Sequence, residues 1–249
     1  MSLSGNLGFA FVILFLLLIL LFLVLNSKKT FVSLRAIPAF KKLGRAFGIS
    51  VEAGKRIHLS LGRGSISGEQ SAAGMIGLSV LERIIRVAAI SDRPPVATSG
   101  DPTMAILSQD VAKAANQTMS NSSEEVRLRS RLTGLTPLSY AAGVIPVIYD
   151  EQSSIDIILG NFGSEVALIA DASERNANVS LAGSDSLPAQ AILYTTAREP
   201  LIGEEFFASG AYVQAGRVHV ASLHAQDVMR WILIISILAG AVFKLLGVL

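Results

Sequence analysis

Cysteine is absent from all 249 residues, which excludes disulfides, thiolate metal sites, cysteine-ligated iron–sulfur clusters and cysteine nucleophiles. Charge is scarce: Asp, Glu, Lys and Arg make up 16% of the chain, whereas 51% of it is hydrophobic. That balance excludes a disordered polyelectrolyte and raises the question of where the apolar excess is stored. A formal net charge of +2 is too small to indicate nucleic acid. Histidine occurs only as His58, His219 and His224, in no known zinc spacing, so no metal site is expected. No G-x-S-x-G, kinase signature or Ser/His/Asp order is visible, and nothing calls for a cofactor or an enzyme.

The apolar excess sits at the two ends. From Leu7 to Leu25 the sequence LGFAFVILFLLLILLFLVL carries no charge, and as a helix it spans roughly 28 Å, about the hydrocarbon thickness of a bilayer. MSLSGN lacks the basic start of a signal peptide, and SKKT follows in place of a cleavage site, so the run reads as a permanent anchor. Lys28, Lys29, Arg35, Lys41, Lys42, Arg45, Lys55 and Arg56 follow against one acid, Glu52. The positive-inside rule then expects this side to be cytoplasmic and the N-terminus outside. A second run, Trp231 to Leu249, preceded by Arg230 and opened by an interfacial Trp, returns the C-terminus outward. Lys244 near its far end is expected to snorkel to the headgroups. Ser236 and Gly240 form a small-xxx-small face.

This reading divides the chain into a transmembrane helix over 1–26, a basic juxtamembrane segment over 27–55, a cytoplasmic domain over 56–228 and a second transmembrane helix over 229–249. Within the juxtamembrane segment, FVSLRAIPAFKKLGRAF interleaves aromatics with bases and is expected to lie along the inner leaflet, with Pro38 as a break.

The interior alternates strand and helix signals. RIHLSLG reads as a strand, GRGSISG as a glycine-rich turn, and the stretch from Gln70 to Ile90 as a buried helix rich in small residues. PPVATSG reads as a short buried strand and DPTMAILSQDVAKAANQ as a helix capped by Asp101 with Pro102 in its first turn. The polar stretch NQTMSNSSEEVRLRSRLTGL reads as a surface excursion ending in a short strand, and a helix is expected near Ser139 to Asp150. SIDIILGNF, EVALIADAS and AQAILYTTA read as three further strands, followed by a helix through EPLIGEEFFASGAYV and another from SLHAQDVM into the second span. The expected fold is α/β: a mostly parallel, helix-flanked, Rossmann-like sheet between N-terminal and C-terminal transmembrane helices.

The order of HLSLGRGSISG with GLSVLERI, VATSGDP, SYAAGV, GNFGSEVALIAD, and LIGEEFFASGAYV followed by AQD resembles an uncharacterised prokaryotic membrane-protein family, domain of unknown function 6754. The resemblance covers nearly the whole soluble domain. It implies no established activity, and TTAREP stands where the family pattern has a Cys-Asp type step, so no thiol chemistry carries over.

Three sets of residues are candidate sites. Gly62, Arg63, Gly64 and Gly68 lie between a strand and a helix, where backbone N–H groups and a guanidinium suit a phosphate; the other reading is a turn that lets a helix pack closely. The spacing is neither a Walker loop nor a full dinucleotide fingerprint. Ser99, Gly100 and Asp101, after Thr98, form a second strand-to-helix turn at the carboxyl edge of the sheet, with Asp101 also expected as a helix cap. Glu204 and Glu205 open an otherwise apolar helix and are weak candidates for acid–base chemistry against a role as a cap or in a salt bridge to a neighbouring subunit. With no catalytic set, the leading expectation is a non-enzymatic scaffold at the cytoplasmic membrane face, its partners the lipid bilayer, further copies of itself and another membrane complex. A membrane-anchored sensor of a small ligand or nucleotide comes second, and a membrane-bound hydrolase or transferase third.

Overall fold

The structure is a computed structural model that describes residues 3–26, 34–66, 68, 71–88, 93–118, 129–177 and 179–246. The chain forms two compact units: residues 35–215, and the two terminal segments, residues 1–34 with 216–249.

In the terminal unit, α1 (Leu3–Asn26) and α9 (Arg217–Leu245) are both long and apolar enough to cross a membrane. Both leave most of their apolar surface exposed, as expected of helices that are hydrophobic all round and meet lipid. They pack on each other, with the His224 ring of α9 5.6 Å from that of Phe22. A 29-residue α9 is about 43 Å long, so the helix begins well before the apolar run that opens at Trp231.

The other unit is an α/β sandwich whose six parallel strands run in the order β3-β2-β1-β4-β5-β6. These are β1 (Arg56–Gly62), β2 (Val96–Ser99), β3 (Arg129–Leu132), β4 (Ser153–Asn161), β5 (Val179–Ser184) and β6 (Glu199–Leu201). All nine residues of β4 are buried, so its continuous SSIDIILGN has the character of a central parallel strand. On one face Ile57, Leu59, Leu61, Ile155 and Ile157 pack under α2 (Pro38–Glu52), α3 (Ser71–Ala88), α4 (Pro102–Thr118) and α8 (Glu204–Tyr212). On the other, Ile158 and Ala182 meet α5 (Pro137–Asp150), α6 (Val166–Asn176) and α7 (Leu187–Thr196).

Several segments differ from their sequence reading. EVALIADAS is α6, not a strand: its buried residues are Val166, Ile169, Ala170, Ala172 and Ser173, and 166, 169, 170 and 173 follow a helical spacing. AQAILYTTA is likewise α7, opened by Pro188 in its first turn. The fifth and sixth strands are instead NVSLAGS, from Val179, and the short β6 at Glu199–Leu201. The segment expected along the leaflet contains α2, where Pro38 starts the helix instead of breaking it. Ala39, Phe40, Leu43, Ala46 and Phe47 line one buried face of α2 against the sheet core. Burying Phe40, Leu43 and Phe47 contributes roughly 1.5–3 kcal/mol each. A base near anionic lipid contributes only about 1 kcal/mol, so the core wins. The remainder of that expectation, residues 31–33, lies outside the described residues.

Candidate functional site

The strand order reverses between β1 and β4, and in open parallel sheets that is where a crevice opens at the carboxyl edge. The turn after β1 and the turn after β4 meet at this point. Arg63 N donates to Asn161 O at 3.0 Å, and the Arg63 Nε lies 3.7 Å from Glu165 Oε1, an ion pair across the crevice without a hydrogen bond. Glu165 is held in place by Gly163 N, which donates to its carboxylate at 2.9 Å. Beside it, Asn161 Nδ2 donates to Asp185 Oδ1 at 2.8 Å.

The two glycine-bearing turns predicted from sequence meet here. Gly100 N donates to Gly62 O at 2.8 Å. A Cβ on Gly100 would lie 2.5 Å from Arg63 Cγ and 3.1 Å from both the Gly134 carbonyl and the Tyr140 ring, so the stem of Arg63 occupies the space a side chain would fill. Gly62 has φ +66°, and a Cβ there would collide with the Asn161 carbonyl. The close neighbour of that glycine is the backbone of β4, not a helix packing on its strand. Gly68, at φ +104°, meets nothing within 4 Å and serves the turn's conformation. Asp101 accepts Met104 N at 3.0 Å and so caps α4. Ser99 is turned inward, its hydroxyl donating to Asp101 O and accepting from Asp101 N.

Under both turns sits a polar core that composition did not announce. Tyr140, fully buried on α5, places its hydroxyl 2.6 Å from Ser60 Oγ and 3.4 Å from Thr98 Oγ1, and accepts Gly62 N at 3.2 Å. Burial pushes the Tyr140 phenol above its ordinary pKa, against the opposing pull of its bonds to Ser60, Thr98 and Gly62. Thr98 Oγ1 is in turn 3.0 Å from His58 Nε2, whose Nδ1 faces Asp156 Oδ1 at 3.4 Å, and Ser153 Oγ donates to Asp156. The order Asp156, His58, Thr98 has the roles of orienter, base and hydroxyl, but all three have no exposed surface. It hydrogen-bonds β2 to β1 through Thr98 and His58, while His58 Nδ1 faces Asp156 on β4 without a hydrogen bond.

The opposite edge is set by charge. Glu151 accepts from Arg56 and Arg131, and Arg129 stands 3.6 Å away. Burial lowers the Arg56 pKa; Glu151 opposes that shift, while Arg129, Arg93 and Arg131 add to it.

Glu204 and Glu205 lie at the start of α8, beyond β6 and so roughly 14 Å from the β1 end at the strand spacing of a sheet. Glu205 pairs with Arg35 at 2.5 Å, a salt bridge within the chain instead of one to a neighbouring subunit. His224 packs in the terminal unit and His58 in the polar core. Sequence reasoning missed Asn161, Glu165 and Asp185. The signal was GNFGSE, which follows β4 as GRGSISG follows β1.

Chemically, the site places one guanidinium on the β1 side, and carboxylates with an amide on the β4 side. Fold and site thus define an α/β protein with the dinucleotide-type strand order and two helices able to cross a membrane. The chain belongs to the family described as Domain of unknown function (DUF6754), whose model matches residues 4–249. Neither a curated protein nor a solved structure matches it.

Proposed function

We propose that the chain is a membrane-anchored, non-enzymatic sensor module that binds a small anionic ligand, such as a nucleotide, in the crevice between β1 and β4. The supporting observation is the meeting of both glycine turns at the strand-order reversal, where Arg63 bridges from Gly100 to Glu165. The Arg63–Glu165 pair serves as the resting latch: an anion replaces Glu165 as the partner of Arg63, while Glu165 and Asp185 accept from the ligand's hydroxyl or amino groups. In this reading α1 and α9 are the anchors, and the bases after α1 hold the α/β unit on the cytoplasmic side with both termini outside.

The test is thermal unfolding of the detergent-solubilised full chain with inorganic phosphate, pyrophosphate, ADP and NAD. A ligand at one hundred times its Kd stabilises by about 2.7 kcal/mol. Stabilisation by at least one probe, lost in Arg63→Ala, is the expected result. No shift with any of them overturns the reading.

Homo-oligomeric assembly is the second reading. Its own observation is the set of large apolar side chains left exposed on the α/β unit, Leu138 and Leu187 among them, which a neighbouring copy would cover.

A further inference from the structure

The amino edge of the sheet holds more positive charge than its fold requires. Arg56 opens β1, and Arg129 and Arg131 lie two apart on β3, on one face of that strand and across β2 from Arg56. All three converge on Glu151, where α5 ends. Among the described residues, Glu151 is the one acid that pairs with any of them.

Some positive charge is needed here. The C-terminus of α5 presents about half a negative charge, and the carboxylate of buried Glu151 has to be neutralised. Fewer than two guanidiniums would meet both demands, and three are present. Arg93 adds to their mutual repulsion: Arg129, Arg93 and Arg131 all oppose the charge on Arg56, whereas Glu151 favours it. The edge position of β3 accounts for part of this, since a base there blunts pairing with another sheet. That role asks for a solvated charge, not for two guanidiniums drawn onto one buried carboxylate.

Hydrogen-bond donors are in the same surplus. A guanidinium carries roughly five N–H groups and a carboxylate accepts at about four sites. Arg56 and Arg131 hydrogen-bond to Glu151, while Arg129 stands 3.6 Å from it without a hydrogen bond. The cluster also has a floor and a mouth. The Arg56 side chain is 13% exposed, whereas those of Arg131 and Arg129 are 40% and 50% exposed. Arg56 and Glu151 thus fix the inner side, and two guanidinium forks reach solvent beside them.

We propose that this cluster is a binding site for a multiply charged phosphate group, with Arg129 and Arg131 as its forks and the Arg56–Glu151 pair as their support. Guanidiniums bind phosphate oxygens bidentately, and a group with two or more negative charges removes the excess that one carboxylate leaves. Arg56 and Gly62 are the two ends of β1, about 20 Å apart at the rise of a strand. The site is therefore separate from the crevice between β1 and β4, and stands whether or not that crevice is filled.

The test uses the detergent-solubilised full chain carrying Arg63→Ala, which disables the crevice, and titrates it with inorganic tripolyphosphate in a calorimeter. Saturable binding is expected, and none of acetate, whose single charge leaves part of the excess. On that background Arg129→Gln should weaken tripolyphosphate roughly tenfold, the worth of one charge-assisted hydrogen bond, and Arg129→Lys should weaken it less. Lys113→Gln lowers the net charge equally from α4, where Lys113 pairs with Asp110, and should leave affinity unchanged. Circular dichroism confirms that each variant is folded. Repeating the titration in phosphatidylcholine nanodiscs with and without phosphatidic acid separates two sources of the same chemistry. Competition by phosphatidic acid supports the site as one for a lipid headgroup, and undiminished tripolyphosphate binding supports it as one for a soluble phosphate compound. Absence of tripolyphosphate binding in Arg63→Ala overturns the proposal. So does a loss in Lys113→Gln equal to that in Arg129→Gln, which would mark diffuse attraction to a basic chain.

Discussion

Replacing Tyr140 with Phe removes one oxygen and keeps the ring that packs 6.3 Å from Phe162. The oxygen lies within hydrogen-bonding distance of Ser60 Oγ, Gly62 N and Thr98, all enclosed. Its loss strands the Ser60 hydroxyl and the Gly62 N–H, a cost of roughly 1–3 kcal/mol. For a unit of this size each kcal/mol moves Tm by about 2–4 °C. Thermal unfolding followed by circular dichroism should therefore show Tyr140→Phe lower by between about 2 and 12 °C at neutral pH. The pH dependence supplies a second check. The folded state holds the phenolic proton above the ordinary value of 10.0, so between the unfolded and folded values the unfolded chain binds fewer protons. The contribution is thus fully present below the unfolded pKa and is lost as pH rises toward the folded one. The wild-type advantage over Tyr140→Phe should shrink above about pH 10 by up to about 1.4 kcal/mol per pH unit. A variant as stable as wild type at neutral pH, or a gap that stays constant into alkali, would refute the role given to this hydroxyl.

Three further outcomes follow from the same structure. Gly62→Ala meets both a left-handed φ of +66° and the Asn161 carbonyl, so it should destabilise by more than about 2 kcal/mol; Gly54→Ala, at φ +59° in open space, should cost about 1 kcal/mol in a parallel denaturant titration. Glu151→Ala leaves the mostly buried Arg56 facing Arg129 and Arg131 without a counter-charge. Chemical denaturation should register a loss on the order of 3 kcal/mol. Arg35→Ala breaks a pair whose arginine is 77% exposed, and the same titration should find a change below about 1 kcal/mol.

The sheet's left half was readable because its elements carry local signals. RIHLSLG before GRGSISG, VATSG before Asp101-Pro102, and the cap at Asp101 each state their own boundaries, and all three sit as expected. The right half was harder. VALIA and AILY are short apolar runs whose length suits strand or helix alike; Pro188 and the 166, 169, 170, 173 spacing were the deciding features. β6 has three residues and α2 has a basic outer face, so neither stands out until the sheet supplies the surface they cover. The candidate turns were legible as turns, yet their meeting was not. It depends on β1 lying beside β4, and no local pattern encodes the neighbour of a parallel strand. For the same reason Glu165 and Tyr140 were invisible as members of the site: each meets the turn after β1 from an element much later in the chain.

That late arrival bears on how the molecule is made. His58 on β1 pairs in register with Asp156 on β4, 156 − 58 = 98 residues onward, and closing a loop of that length costs roughly 4 kcal/mol of chain entropy before any contact rewards it. During synthesis the β3-β2-β1 half waits with one side of β1 unpaired, holding His58 and Ser60 in a sheet that has no centre yet. Folding of the unit is therefore gated by a single long-range event, slow for its size. A chain interrupted between Asp150 and Ser153 keeps every local signal of the first half and lacks the one strand that joins its halves.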